Sequence, residues 1–280
     1  IAIQSKGRLY EESMALLEEA GIKIPGGKRT LLVPARNFPV EVLFLRDDDI
    51  PESVASGVAD VGIVGLNEVM EKRCPVGILK KLGFGKCRLS LAIPQNIDYQ
   101  DRNWFSGKKI ATSYPGILSD YLHKNGIVSD IHVITGSVEI APGIRLADAI
   151  FDIVSSGSTL VSNRLKEVET VVESEAVLIG TDSISPEKRG ILDELLFRFD
   201  SVQAADDKKY ILMNVPQKKL NDVLSVLPGI KSPTVMPLAD KEWCSVHTVL
   251  DEKCFWEIIN RLKTAGAEGI LVLDIEKMIL

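Results

Sequence analysis

The sequence predicts an α/β protein: a two-lobed unit of strands alternating with helices, followed by a separate small module of order βαββαβ. Three observations lead there. Short apolar runs alternate with amphipathic stretches over most of the 280 residues, as in strands interleaved with helices. Two stretches, Pro51–Gly65 (PESVASGVADVGIVG) and Pro142–Gly157 (PGIRLADAIFDIVSSG), share one layout of short helix, acid, apolar strand and closing glycine. Beyond the polar run Gln203–Lys209 (QAADDKK) the order of elements changes.

Ile1–Gln4 opens as a strand. Leu9–Ala20 follows as a helix with Leu9, Leu16, Leu17 and Ala20 on one face, and Gly21 ends it. Strand-like runs come at Thr30–Val33, Glu41–Leu45, Asp60–Gly65, Leu89–Ile93, Lys109–Thr112, His132–Thr135, Phe151–Val154 and Val168–Ile179. Helices are expected at Pro115–Lys124 and Pro186–Ser201. In the second, Ile191, Leu192, Leu195, Leu196 and Phe199 make the buried stripe, and Pro186 suits a first helical position. With QAADDKK as linker, the tail reads as strand Lys209–Val215, helix Gln217–Val226, strands Ser232–Leu238 and Cys244–Leu250, helix Lys253–Ala265 and strand Gly269–Asp274. This order is ferredoxin-like. Trp243, Phe255 and Trp256 are expected to pack this module. Aligning Asp60 with Asp152 makes the lobes similar, facing each other across a cleft with ligands at the carboxyl ends of the strands. The expected boundaries are 1–90 with 181–205 for the first lobe, 91–180 for the second, and 206–280 for the module.

Composition narrows the function. A net charge of −6 argues against a broad nucleic-acid surface. No apolar run reaches the roughly 18–20 residues of a membrane span, and Ile1–Ser5 lacks the organisation of a signal peptide, so a cytoplasmic protein is expected. Cys74, Cys87, Cys244 and Cys254 form no CxxC pair and His123, His132 and His247 are scattered, which suits free thiols better than a zinc site or disulfide framework.

The stretch richest in chemistry is Asp152–Leu160 (DIVSSGSTL). An apolar strand runs into Ser155, Ser156, Gly157, Ser158 and Thr159, with a helix starting directly after. Small residues allow close backbone approach, and amides and hydroxyls supply donors for a monophosphate. The plainer alternative is a Ser/Gly turn with a helix cap; GxxxxGK[ST] is absent. Glu139, Asp148 and Asp152 lie around the loop, where carboxylates suit ribose hydroxyls or magnesium, although each alone is equally a solvated or capping acid. Lys6, Gly7 and Arg8 join a strand to a helix and present cations to a polyphosphate, or simply to solvent. Ser113 and Tyr114, before Pro115, offer a hydroxyl and an aromatic face for a base, or a helix cap. Arg46-Asp47-Asp48-Asp49 reads as a surface loop and cap.

Several of these segments, in order, resemble the long form of ATP phosphoribosyltransferase. They are QSKGRL (Gln4–Leu9), RDDDIP (Arg46–Pro51), ADVGIVG (Ala59–Gly65), LGFGKCRLSLA (Leu82–Ala92), IATSYP (Ile110–Pro115), GSVEIAP (Gly136–Pro142), LADAIFDIVSSGSTL (Leu146–Leu160), SPTVMPLA (Ser232–Ala239) and LVLDIEKM (Leu271–Met278). The resemblance implies a two-lobed fold like the periplasmic binding proteins plus a ferredoxin-like regulatory domain. It also implies transfer of the phosphoribosyl group of phosphoribosyl pyrophosphate (PRPP) to N1 of ATP at the start of histidine biosynthesis, with Mg2+ accompanying the substrates and no residue a metal ligand or covalent nucleophile. By the same resemblance, Glu139, Asp152, Ser155, Ser156, Gly157, Ser158, Thr159 and Leu160 bind PRPP. Lys6, Gly7, Arg8, Arg88, Ser113 and Tyr114 lie at ATP, and Thr234 contacts histidine as feedback inhibitor. Relatives suggest homodimers assembling into hexamers. A solute-binding protein, a different phosphoribosyltransferase and a stand-alone amino-acid sensor are the other classes compatible with parts of the pattern.

Overall fold

The computed structural model describes residues 1–25, 30–228 and 233–279. Among them the strands form three sheets. The first contains β1 (Ala2–Gln4), β2 (Leu32–Pro34), β3 (Glu41–Leu45), β4 (Val61–Gly65), β5 (Gly77–Lys81) and β11 (Ala176–Gly180), in the order β2-β3-β1-β4-β11-β5. The second contains β6 (Cys87–Pro94), β7 (Lys109–Thr112), β8 (Asp130–Val133), β9 (Ala149–Val154) and β10 (Leu165–Ser174), ordered β10-β6-β9-β7-β8. The third contains β12 (Lys208–Pro216), β13 (Thr234–Pro237), β14 (Trp243–Asp251) and β15 (Glu268–Asp274), ordered β13-β14-β12-β15 and antiparallel throughout. The helices are α1 (Arg8–Glu19), α2 (Ile50–Ala55), α3 (Leu66–Lys72), α4 (Pro115–Lys124), α5 (Ser158–Ser162), α6 (Pro186–Ala205), α7 (Leu220–Val226) and α8 (Glu252–Ala265).

The first two sheets make two α/β lobes. In each, parallel strands lie beside antiparallel ones: β1 runs parallel to β3 and β4, and β7 parallel to β8 and β9. Apolar strand residues build separate cores. Ala2, Ile50, Val54, Val64, Val177 and Ile179 pack in one lobe, and Leu89, Leu91, Phe105, Ile110, Leu118 and Phe151 in the other. Burial of such side chains is the main stabilising term.

The lobe boundaries differ from expectation. Val168–Ile179 is not one strand: Leu165–Ser174 pairs with β6 in the second sheet, whereas Ala176–Gly180 pairs with β4 and β5 in the first. The chain changes sheets at Glu175, whose carboxylate meets Lys81 Nζ at 3.1 Å. Gly77–Lys81, a short edge strand ending in two lysines, is an element the apolar pattern does not reveal. The other end shifts too, because Cys87–Pro94 lies wholly in the second sheet.

The two segments of shared layout, Pro51–Gly65 and Pro142–Gly157, fold differently. Ile50–Ala55 is helical, but Pro142–Leu146 is a turn, and Asp152 lies inside β9, whereas Asp60 precedes β4. The counterpart of Asp60 is Asp148: each follows an alanine at a strand entrance. Asp60 accepts from Lys188 Nζ at 2.8 Å and Asp148 from the Lys109 amide at 2.9 Å. Asp148 is therefore an anchoring acid.

The C-terminal unit has the ferredoxin-like strand order, its helices covering one face. Ile211, Met213, Val215, Val246, Phe255, Ile258 and Leu262 form its core. Trp256, expected inside, is 66% exposed and touches Phe255 edge-on. QAADDKK is scarcely a linker, since α6 runs to Ala205 and β12 starts at Lys208. The chain instead divides into compact units at Leu192/Asp193, within α6.

Candidate active site

Two glycines start the two loops that matter. Gly7 (φ 90°) precedes α1 and Gly157 (φ 80°) precedes α5. Both values lie in the left-handed region that favours glycine. At Gly157 a Cβ would meet only Val154 Cγ1, at 4.0 Å, so conformation and not crowding demands glycine there. Ser156 Oγ lies 3.0 Å from Ser158 Oγ and 3.4 Å from the Ser158 amide, while Ser155, Ser158 and Thr159 are exposed. Leu160 is buried with Val154 and Leu165, so its side chain anchors the loop and cannot line it.

Two arginines converge on Ser155. Arg8, at the start of α1 in the first lobe, places Nη1 3.4 Å from Ser155 Oγ. Arg88, on β6 of the second, places Nη1 3.1 Å from the Ser155 carbonyl. Each is held by a glutamate: Arg8 Nε donates to Glu12 Oε1 at 3.1 Å, and Arg88 Nε to Glu167 Oε1 at 2.6 Å. The expected nucleotide residues Arg8 and Arg88 thus both touch the Ser/Gly loop. Neither glutamate was singled out from sequence.

Glu139 sits in a 3-10 turn, Val138–Ile140, near Asp152. Burial pushes the Asp152 carboxyl up to about 6; the Ile153 amide partly offsets this and the Glu139 charge adds to it. Two neighbouring carboxylates beside a loop rich in hydroxyls suit sugar hydroxyls, or a hard cation that keeps other oxygen ligands. Among the described residues no group of three or more His, Cys, Asp or Glu is placed to hold a metal by itself.

Tyr114 and Ser113 are placed otherwise than expected. Tyr114 is buried in the second lobe's core, and its hydroxyl donates to Glu68 Oε1 at 2.8 Å, so it presents no open face for a base. Its hydroxyl is held protonated by burial, then by Glu68, and further by the Asp152 charge. Ser113 Oγ donates to the Ile134 carbonyl at 2.8 Å. Tyr114 belongs to a contact between lobes that sequence did not reveal. Asn67 Nδ2 donates to its hydroxyl at 3.2 Å, and Ser174 Oγ to Asn67 Oδ1 at 2.8 Å. Glu71 on α3 accepts the Gly116 and Ile117 amides at 2.8 and 2.9 Å, capping α4 from the opposite lobe, and Arg73 reaches Asp120 at 2.7 Å. Short helices with ordinary acids give no sequence sign of such reach.

At the carboxyl ends of β1 and β3, Gln4, Ser5, Lys6, Arg46 and Asp47 line a cavity of about 390 Å3. Lys6 is thus at a strand end as expected, and Arg46 joins it there. Asp47–Asp49 forms a 3-10 turn leading into α2, but Asp49, at the N-cap position of α2, makes no side-chain cap hydrogen bond. Thr234 lies exposed on β13 opposite His247, which also contacts Tyr210 and Ser245. Ser232, at the start of its motif, lies outside the described residues. The cysteines are free.

The family described as ATP phosphoribosyltransferase matches residues 46–201, more than half of the sequence. The chain belongs to the ATP phosphoribosyltransferase family. Its members are transferases of histidine biosynthesis, and the family's C-terminal domain matches residues 205–277, so this member has the long-form architecture. The ATP phosphoribosyltransferases of Bacteroides fragilis and Phocaeicola vulgatus are each 70% identical over 280 residues, covering 100% of this chain and 99% of theirs. Among solved structures, the ATP phosphoribosyl transferase (HisG:HisZ) complex from Thermotoga maritima is similar with a TM-score of 0.61 and 27% identity, over 71% of this chain and 96% of that one. No helix among the described residues of this member is long and apolar enough to cross a membrane.

Proposed function

We propose that this chain joins ATP to PRPP, giving phosphoribosyl-ATP and pyrophosphate, with the 5′-phosphate of PRPP held by Ser155–Thr159. The observation that carries this reading is the convergence of Arg8 and Arg88, from opposite lobes, on Ser155 of a loop flanked by Asp152 and Glu139. Small residues and hydroxyls suit a monophosphate there, and the two carboxylates accept hydrogen bonds from the ribose hydroxyls. Lys6 and Arg46, at the ends of β1 and β3, supply positive charge for polyphosphate oxygens.

In the reaction, adenine N1 forms a bond to C1 of the ribose while the bond from C1 to the pyrophosphate oxygen breaks. The electron pair leaves with pyrophosphate and C1 inverts. No covalent nucleophile is needed; the chain's part is to align N1 with C1 and to offset the growing negative charge. Magnesium, when bound with the substrates, neutralises phosphate charge, and Glu139 and Asp152 are the carboxylates that would share it with substrate oxygens.

Residues 206–280 serve in this reading as the site of feedback inhibition by histidine, with Thr234 as a contact; the long-form architecture supports this. Cytoplasmic location and assembly of homodimers into hexamers complete the proposal, with neither nucleic acid nor membrane as partner. The test is incubation of the protein with ATP, PRPP and Mg2+, following pyrophosphate and the new nucleotide. Equimolar appearance of both supports the reading. Absence of product, with tight binding of some other solute, overturns it.

A further inference from the structure

We propose that Glu167 is a positioning residue: it locks the Arg88 guanidinium so that Arg88 holds the Ser155 carbonyl and keeps the phosphate loop in its binding geometry. The inference rests on the reading of Ser155–Thr159 as the PRPP loop and adds a residue to it.

The geometry is specific. Glu167 Oε1 accepts from Arg88 Nε at 2.6 Å, from Ser90 Oγ at 2.7 Å and from Thr170 Oγ1 at 3.1 Å, while Oε2 takes Arg88 Nη2. A guanidinium is planar, so fixing its Nε–Nη2 edge also fixes Nη1. That remaining nitrogen donates to the Ser155 carbonyl at 3.1 Å. Ser90, which braces the carboxylate, is fully buried and lies opposite Asp152 across the β6–β9 ladder. The strut therefore stands on the rigid sheet that also carries Asp152.

Holding that carbonyl has a consequence for the next amide. In a trans peptide the C=O and the following N–H point in opposite directions. With the Ser155 oxygen drawn to Arg88, the Ser156 N–H points away from it, free to meet an anion. If that peptide rotated, an oxygen would take the place of the donor and repel phosphate. The carboxylate suits this role at every working pH, because Arg88, ahead of Ser90 and Thr170, holds its carboxyl down to about 2. The pair is partly open to water, with side-chain exposures of 34% and 24%, so as an ion pair it adds little to stability. Its loss belongs in ligand affinity.

The experiment uses full-length wild type, Glu167→Gln, Arg88→Lys and the double variant, with PRPP binding by calorimetry, steady-state kinetics and thermal unfolding. Glu167→Gln is expected to raise the Kd and KM for PRPP about tenfold, with kcat within about threefold and the KM for ATP unchanged. Arg88→Lys keeps the charge and loses the fork; it should weaken PRPP similarly, and the double variant should be no worse than the weaker single. Wild-type PRPP affinity in folded Glu167→Gln or folded Arg88→Lys overturns the positioning role and leaves the proposed reaction standing. Equal losses for ATP and PRPP overturn it as well. A wild-type protein that does not bind PRPP at all overturns the loop assignment, and the strut with it.

Discussion

Gly157→Val separates a phosphate cradle from an ordinary turn. The residue sits at φ 80°, ψ 0° before α5. A side chain there costs roughly 1–2 kcal/mol, and a β-branched one lies at the upper end. No neighbour adds to this, because a Cβ would meet only Val154 Cγ1, at 4.0 Å. The strain has two outlets. If the loop keeps its shape, the protein carries the strain and melts lower by roughly 2–8 °C. If the exposed loop rearranges to a negative φ, the amides and hydroxyls of Ser156–Thr159 leave their positions. The same 1–2 kcal/mol then appears as a roughly 5- to 30-fold increase in the KM for PRPP. Because Leu160 and Val154 remain packed in the lobe core, relaxation is confined to the loop and the fold survives. Initial rates against PRPP at saturating ATP, with a melting curve of the same preparation, give both numbers. A folded variant whose KM for PRPP and melting temperature are both unchanged refutes the cradle, because the loop has then relaxed at no cost to binding.

Asp152 gives a pH prediction. Its folded value, about 6, lies above the ordinary 3.8, so its contribution to stability is present at low pH and lost as pH rises through about 6. PRPP binding has the opposite sign, since the carboxylate accepts from the ribose more strongly than the protonated acid does: kcat/KM for PRPP should fall below pH 6, less so in Asp152→Asn, and at lower pH in Glu139→Gln. A pH profile identical in all three proteins contradicts this role. Glu71→Ala leaves the Gly116 and Ile117 amides without their acceptor, a loss of roughly 2–3 kcal/mol and about 5–10 °C in melting temperature; a shift under 1 °C means the cap between lobes is unimportant. Thr234→Ala should weaken inhibition by histidine without changing the KM for ATP or PRPP, and unaltered inhibition places the effector elsewhere.

Local signals carried much of this into the sequence. Lys109–Thr112 and Pro115–Lys124 are legible to the residue, because a short apolar run meets a proline suited to a first helical turn. The C-terminal unit is equally plain, each strand and helix having its own period and turn. What was hidden lies in relations across the chain. The passage from β10 to β11 contains neither glycine nor proline, so Val168–Ile179 reads as continuous although its halves serve different sheets. QAADDKK looks like a linker because it is polar, yet it holds the end of a helix with Ala205 buried, and the turn after that helix is polar too. The site divides in the same way. Ser155–Thr159 was visible because small residues, hydroxyls and a helix start coincide locally. Glu167 was not, since it meets Arg88 from 79 positions away and its own neighbourhood is an ordinary alternating strand. Tyr114 is not legible in the same way, because an aromatic before a helix gives no sign of which way it faces, and this one faces the core.

We propose that Ser155–Thr159 holds the 5′-phosphate of PRPP. Amide chemical shifts followed during titration with PRPP and, separately, with ribose 5-phosphate test it most directly. The predicted result is that both ligands move the amides of Ser156, Gly157, Ser158 and Thr159 first and most strongly, with Asp152 following. Saturating PRPP that leaves these amides unmoved while shifting others contradicts it.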